Sequence, residues 1–445
     1  MTLPTPNRDR IFADLSALVS FNSPHSVPAL ADSHEAACAW TVTALEELGF
    51  DVERHPTVDN ADTIIGNRVI DADAPTVLLY SHYDVVPAGH PSAWTSDPFT
   101  LTERGGRWYG RGAADCKGNL AMHLEALRLL DAAGGPSVNL KIVVEGSEEF
   151  GGDGGLEKLI ESSPELFRAD AILIADSGNV AAGSPTLTTQ LRGGAQVLVS
   201  VETLEGEVHS GSFGGAAPDA VDALVRIANS LFDEHGRTTI DGVNCLGTWE
   251  GDAYDRETFR KDAGVLEGVQ IYGTVDDEPG DMVWARPAVT MIGFTSRPVS
   301  EALNAINARA SAQFNLRVPA GMSAAETADK LEQHIYANTP WGAKVTVEVS
   351  QLNEPFSTDI SGPAITLLGE CLKESYGASS LAVVGSGGSI PLTTTLQEHF
   401  GDAEIALFGV EEPLCGIHGI DESVDPTEIE RIAVAEAEFL RRFGR

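Results

Sequence analysis

Short apolar runs of strand length, each breaking into charged or histidine residues, recur along this sequence and constrain its fold more than any other feature. Val77–Tyr80 runs into Ser81-His82-Tyr83-Asp84, Asn139–Val144 into Gly146-Ser147-Glu148-Glu149, and Ala171–Ala175 into Asp176. Between and before them lie segments with helical spacing: Arg8–Val19, Ser33–Leu48 with Asp32 or Ser33 as N-cap, and Leu120–Ala133, stopped by Gly134-Gly135. Asp51–Glu53 and Thr63–Arg68 add further strands. Apolar strands alternating with helices imply an α/β domain, whose mixed, mostly parallel sheet carries helices on both faces.

From about Leu191 the pattern changes. Gln196–Thr203 and Ala308–Pro319 alternate polar and apolar residues, Pro218–His235 and Ser323–Tyr336 have helical spacing, and Lys344–Gln351 returns to a strand. This describes a small α+β layer with one covered face, containing an irregular acidic and aromatic stretch, Asp241–Arg286. After about Pro355 the first style returns with the helix Ala364–Tyr376, the strands Leu381–Val384 and Glu404–Phe408, and a final helix opened by the capping box Asp425-Pro426-Thr427-Glu428. The expected organisation is an α/β domain in two parts, 1–190 and 353–445, interrupted by an inserted α+β domain, 191–352. A chain of 445 residues has the length for more than one core.

Basic residues number 29 and acidic ones 66, a net charge of −37, which repels nucleic-acid backbones and anionic membrane surfaces. No apolar stretch reaches the roughly 18–20 residues of a membrane span. Met1–Arg10 has no apolar signal-peptide core, and Cys38, Cys116, Cys245, Cys371 and Cys415 form no CxxC pair. The expectation is a cytoplasmic protein with free thiols.

The chemistry-bearing residues sit where strands end, the place where open α/β sheets bind ligands. His82 and Asp84, two apart in an extended segment, share a face, so Asp84 can accept from one imidazole nitrogen and leave the other for a metal; a structural buried histidine would look the same. Asp115 follows Gly110-Arg111-Gly112 at a strand-to-helix crossover, where a ligand and an N-cap are both readings. That loop lacks the spacing of a phosphate-binding loop. Adjacent carboxylates at Glu148 and Glu149 repel one another unless cations or protons compensate. Asp176 and His418 are each ambiguous alone. Taken together, His82, Asp115, Glu149, Asp176 and His418 suit zinc, cobalt or manganese rather than calcium. Their three negative charges and a bridging hydroxide balance two divalent ions, as in a two-metal hydrolase site.

The motifs Ser81-His82-Tyr83-Asp84-Val85-Val86-Pro87, Gly110 to Gly118, Glu148-Glu149 with Gly151, Asp176 and Gly416-Ile417-His418 resemble, in content and order, the M20 family of dinuclear-zinc metallopeptidases. The resemblance runs from roughly Ile11 to the C-terminus. It implies that His82 and Asp176 bind one metal, Glu149 and His418 the other, and Asp115 both. Asp84 orients His82. Glu148 is the general base that activates a metal-bridging water and returns the proton to the leaving amine. The inserted domain matches the family's lid and implies a homodimer formed through it. In that domain, His209 of Val208-His209-Ser210-Gly211 stabilises the oxyanion, in cis or from a partner subunit. Arg317 clamps the substrate carboxylate, aided by the turn Gly387-Gly388-Ser389. Asp at 176, the stretch Ser210–Gly215 and Trp284-Ala285-Arg286-Pro287 resemble the dipeptidase branch of the carnosinase and PepV type. Asp421-Glu422 stands where Asn-Glu is common in the family. The expected activity is hydrolysis of dipeptides or short peptides with a free carboxylate. Cleavage of N-acyl or N-succinyl amino acids is the alternative.

Overall fold

The computed structural model describes residues 2–150, 154–295 and 297–444; Gly151 and Gly152 lie outside the described residues. The chain divides into two units. Met1–Thr189, Thr358–Val384 and Leu392–Arg445 form the first, and Gln190–Ser357 with Gly385–Pro391 the second. The short return at Gly385–Pro391, which carries Gly387, Gly388 and Ser389, therefore groups with the insertion rather than with the C-terminal part.

In the first unit the strands Asp51–Pro56, Asp62–Arg68, Asn139–Glu145, Thr76–His82, Ala171–Ala175 and Glu404–Phe408 lie side by side in that order. The last four pair in parallel and the first two add antiparallel neighbours. Val77 and Leu79 belong to the main core, while the alternate residues Leu78 and Tyr80 are equally buried on the opposite face. The sheet is thus covered on both sides, which is why its strands read as unbroken apolar runs.

The helix Lys117–Ala132 is the central element of that core and packs against Arg8–Ser20, Pro426–Arg442 and the strand Thr76–His82. Leu120, Leu124 and Leu127 have no exposed surface, and each contributes about 1.5–3 kcal/mol by burial. Its His123 is pinned between Glu436 Oε2, 2.8 Å from Nδ1, and the carbonyl of Tyr80, 3.1 Å from Nε2. That contact ties the helix to the strand that ends in His82.

Several helix limits differ from the sequence expectation. The second helix spans Ala31–Glu47, and its N-cap is Leu30 without a side-chain bond. A 3-10 turn at Pro28–Leu30 leads straight into it, so Asp32 and Ser33 lie inside it. Asp425 does cap Pro426–Arg442 by accepting from Thr427 N, but Glu428 accepts from Asn179 and Gly183 rather than closing a capping box.

The second unit is a four-stranded antiparallel sheet in the order Ala288–Thr295, Arg309–Val318, Gly193–Glu202 and Lys344–Asn353. Its helices Ala220–Ser230 and Ala324–Ala337 share one core with alternate sheet residues such as Val197, Val199, Phe314 and Leu316. The first of these helices is shorter than the expected Pro218–His235. Asp219 caps it through Val221 N at 2.7 Å and also holds Asn307 N at 2.8 Å. The irregular stretch Asp241–Arg286 contains the helix Arg256–Asp262 and is tied by Arg286 to Asp277 at 2.5 Å. Among the described residues no helix is long and apolar enough to cross a membrane.

Candidate active site

Topology brings the site together at the carboxyl ends of the four parallel strands. Read across the sheet, Glu148 and Glu149 follow the strand Asn139–Glu145, His82 ends Thr76–His82, Asp176 follows Ala171–Ala175, and Glu411 follows Glu404–Phe408. Asp115 and His418 arrive on loops. A small sheet joins those loops: Ser423 and Val424 pair with Tyr109 and Trp108. The Glu422 carboxylate then accepts the N–H groups of Gly112, Ala114 and Asp115 at 3.0–3.1 Å. Asp115 begins no cap: the helix starts at Lys117, after a cis peptide bond between Asp115 and Cys116.

The resulting distances are short. His82 Nε2 lies 3.1 Å from Asp115 Oδ1 and 3.5 Å from Asp176 Oδ1, and His418 Nε2 lies 3.1 Å from Asp115 Oδ2 and 2.9 Å from Glu149 Oε2. Asp115 thus stands between the two histidines. Asp84 has two tasks. One of its oxygens is 3.2 Å from His82 Nδ1, and its carboxylate accepts the N–H groups of Glu148 and Glu149 at 3.2 and 3.1 Å. Glu148 Oε2 is 4.0 Å from His82 Nε2. His418 has φ 61°, a left-handed conformation that non-glycine residues enter only when their surroundings impose it.

Electrostatics points the same way. Burial works against a charged His82, but Cys116, Asp115, Asp176 and Asp84 outweigh it and hold its pKa well above the ordinary value. Hydrogen bonds to Asp115 and Glu149 raise His418 to about 10. Burial, followed by Asp115, raises Glu149 to about 7, and burial with Asp176 lifts Glu148 well above the carboxylate range. Asp115 is held low by His418 and His82 in spite of its burial.

The donor chemistry fits divalent cations. Ligand atoms of His82, Asp115 and Glu149 lie within 4.8 Å of one another, as do those of His82, Cys116 and Asp176, and those of Asp115, Asp176 and Glu411. Among the described residues, Glu149 Oε1 and Glu411 Oε2 are buried without a hydrogen-bond partner. Such orphaned carboxylate oxygens are costly unless a cation meets them. Burial pushes the Cys116 thiol up, and its Sγ bonds to the Ala175 carbonyl at 3.1 Å, so it suits a metal less than its neighbours do.

The residues expected from the insertion lie in the second unit. Arg317 is on a strand paired on both sides, with Gly194 and Ala288, so it is no edge residue. Its Nη1 donates to Ser389 Oγ at 3.0 Å, and Ser389 donates in turn to the carbonyl of Arg192 at 2.5 Å. Among the described residues no carboxylate pairs with Arg317. Burial, then Arg317, lowers the neighbouring Arg192 to about 10. Gly388 N donates to Ser386 Oγ at 3.2 Å, while a Cβ on Gly387 would come within 2.9 Å of Arg192 Nη2. His209 is exposed and its Nδ1 accepts from Gly211 N at 3.1 Å. The second unit also forms a half-open pocket of about 520 Å³ lined by Phe232, Cys245, Phe259, Tyr272, Met282 and Val289 among others.

Sequence reasoning did not single out Glu411. Its signal is the same as that of Glu148-Glu149: a pair of acidic residues, Glu411-Glu412, closely following the apolar strand Glu404–Phe408.

Residues 78–442 match the profile of Peptidase family M20/M25/M40. The chain belongs to this family. Among similar proteins, the Cysteinylglycine-S-conjugate dipeptidase of Corynebacterium striatum is 66% identical over 441 residues, covering 99% of this chain and 97% of that protein. The Cys-Gly metallodipeptidase dug1 of Schizosaccharomyces pombe is 27% identical over 449 residues, covering 94% and 92%. In structure, the fold is shared with human carnosine dipeptidase 1, with a TM-score of 0.81 at 23% identity, covering 98% and 99% of the two chains. It is also shared with the dipeptidase Dug1p of Saccharomyces cerevisiae, with a TM-score of 0.82 at 23% identity, covering 98% and 96%. This M20 chain is a hydrolase, a metallodipeptidase that cleaves dipeptides; the N-acyl amino acid alternative is not favoured.

Proposed function

We propose that this chain hydrolyses the peptide bond of Cys-Gly dipeptides, S-conjugated ones in particular, and that its first unit holds two divalent ions for that purpose. The carrying observation is the cluster of His82, Asp115, Glu149, Asp176 and His418 at strand ends and the loops beside them, in which Glu149 Oε1 is buried without a hydrogen-bond partner among the described residues. The substrate class rests on the 66% identity to the Corynebacterium striatum enzyme. Zinc suits the mixed histidine and carboxylate set best, with cobalt or manganese next. The ions, when bound, supply polarisation of the scissile carbonyl and an acidified water.

The chain's own residues do the rest. Glu148 Oε2 takes up the proton of the attacking water and hands it to the departing amine, a dual role suited to a carboxyl whose pKa is raised. Asp84 keeps His82 in one orientation and fixes the backbone of Glu148 and Glu149. Arg317, steadied by Ser389, binds the substrate carboxylate, aided by the backbone N–H of Gly387, while Gly388 N is engaged with Ser386 Oγ. His209 stabilises the oxyanion, in cis or from a partner. A homodimer formed through the second unit is supported by its edge strand Ala288–Thr295, where Met291, Ile292 and Phe294 are exposed. Five unpaired cysteines support a cytoplasmic location.

The test is a panel of S-substituted Cys-Gly peptides, plain dipeptides and N-acyl amino acids, following released amine after metal is restored to chelated protein. Preference for S-substituted Cys-Gly supports the reading. Turnover confined to N-acyl amino acids contradicts it.

A further inference from the structure

We infer that Glu411 is an additional metal ligand on the Asp115–Asp176 side of the site, making that side rich in carboxylate oxygen and favourable to a hard cation such as Mn2+. The inference rests on the reading of the cluster as a metal site.

Placement is the first argument. Of the four parallel strands, three end in groups already assigned to the site, and Glu411 holds the corresponding position after the fourth. Its ligand atom lies within 4.8 Å of those of Asp115 and Asp176.

Orientation is the second. Glu411 is 8% exposed and is held through one oxygen only: Asn119 Nδ2 donates to Oε1 at 2.5 Å. Asn119 is itself fixed, because its Oδ1 accepts from Val410 N at 2.9 Å. Among the described residues, Oε2 is left buried and unpartnered. A structural acid at this position would have both oxygens satisfied or one in water.

Close approach is the third. A Cβ on Gly409 would stand 2.2 Å from the Ser177 carbonyl and 2.5 Å from Glu411 Oε2, so glycine at 409 lets the backbone lie against this carboxylate, while glycine at 178 serves the backbone, where a Cβ would meet the Glu411 carbonyl at 2.3 Å.

Charge then follows. Asp115, Glu149, Asp176 and Glu411 together carry four negative charges, one more than the three assigned from the sequence, so two divalent ions are neutralised before any bridging hydroxide is counted. One side of the site is His82 with Asp115, Asp176 and Glu411; the other is His418 with Asp115 and Glu149. Carboxylate oxygen suits Mn2+, whereas imidazole suits zinc, so Glu411 narrows the usual advantage of zinc on the His82 side.

Metal-free full-length protein and its Glu411→Gln variant are titrated separately with Mn2+ and Zn2+ against a competing chromophoric chelator, with bound metal counted by atomic emission. Gln keeps the acceptor for Asn119 and removes the charge. The inference expects Mn2+ affinity at one site to fall at least about tenfold more than zinc affinity does. Equal small changes for both metals overturn it and make Glu411 structural. Wild type that binds neither metal overturns the metal-site reading itself, a distinct outcome. Should E411Q fail to fold, Glu411→Asp, which keeps the charge but retracts it, must still weaken Mn2+ more than zinc; unchanged selectivity there overturns the inference.

Discussion

Arg111 and Glu422, 311 positions apart in sequence, form a 2.5 Å ion pair in which both side chains are almost fully buried. The same Glu422 carboxylate accepts from the backbone of Gly112, Ala114 and Asp115, so one acidic side chain from the C-terminal part sets the loop that carries the central aspartate. Removing one partner of a buried pair strands the other charge and costs about 3–5 kcal/mol. Glu422→Ala therefore lowers the unfolding free energy by about that amount, read by urea denaturation of the metal-free protein. It also weakens metal binding, because Asp115 loses its anchor.

Glu148 is the second test. Its Oε2 is 4.0 Å from His82 Nε2, and its backbone is held independently by Asp84. Glu148→Gln therefore leaves metal content unchanged and lowers kcat by about 10²–10⁴-fold, the usual contribution of general acid–base catalysis. Turnover near wild type, with both ions present, assigns the proton transfer to another group.

The strand ends at His82, Glu148-Glu149 and Asp176 were legible because a buried parallel strand is apolar throughout, so the first charged residue after it marks the sheet's ligand-binding edge. Glu411 obeys the same rule. It escaped because His418, a few residues on, supplied the expected ligand for that strand. The Arg111–Glu422 pair has no local signature, since only the pairing of Ser423-Val424 with Trp108-Tyr109 brings its halves together. Helix limits failed where a neighbouring turn intervened, as at Pro28–Leu30, or where a distant residue claimed the cap, as Asn307 does at Asp219. Glu428 shows the same limit: its sequence position suits a capping box, but Asn179 and Gly183 hold its carboxylate.

Arg317 should act on binding. Charge-assisted hydrogen bonds are worth about 1.5–3 kcal/mol, so Arg317→Met raises KM for a dipeptide roughly 10–100-fold. The discriminating control is the same dipeptide as its C-terminal amide. Wild type should strongly prefer the acid, and the variant should treat acid and amide alike. A variant that keeps the wild-type preference removes Arg317 from the carboxylate site.

Lys141 gives a pH test away from the cluster. It lies in the strand Asn139–Glu145, is 8% exposed, and donates to the carbonyl of Leu166. Burial lowers its pKa from the ordinary 10.5 to about 8. Between those values the unfolded chain binds more protons than the folded one, so stability rises with pH across that window; below about pH 8 both states are protonated and the slope vanishes. Lys141→Met should abolish this rise in unfolding free energy between pH 8 and 10.5. An unchanged slope assigns it to other groups.

The most direct test of a two-metal site built on Asp115 is anomalous X-ray diffraction from crystals grown with zinc. Two peaks about 3.5–4 Å apart are expected, one beside His82 and Asp176, one beside His418 and Glu149, with an oxygen of Asp115 on each. A single peak, or peaks that leave Asp115 unligated, contradicts the assignment.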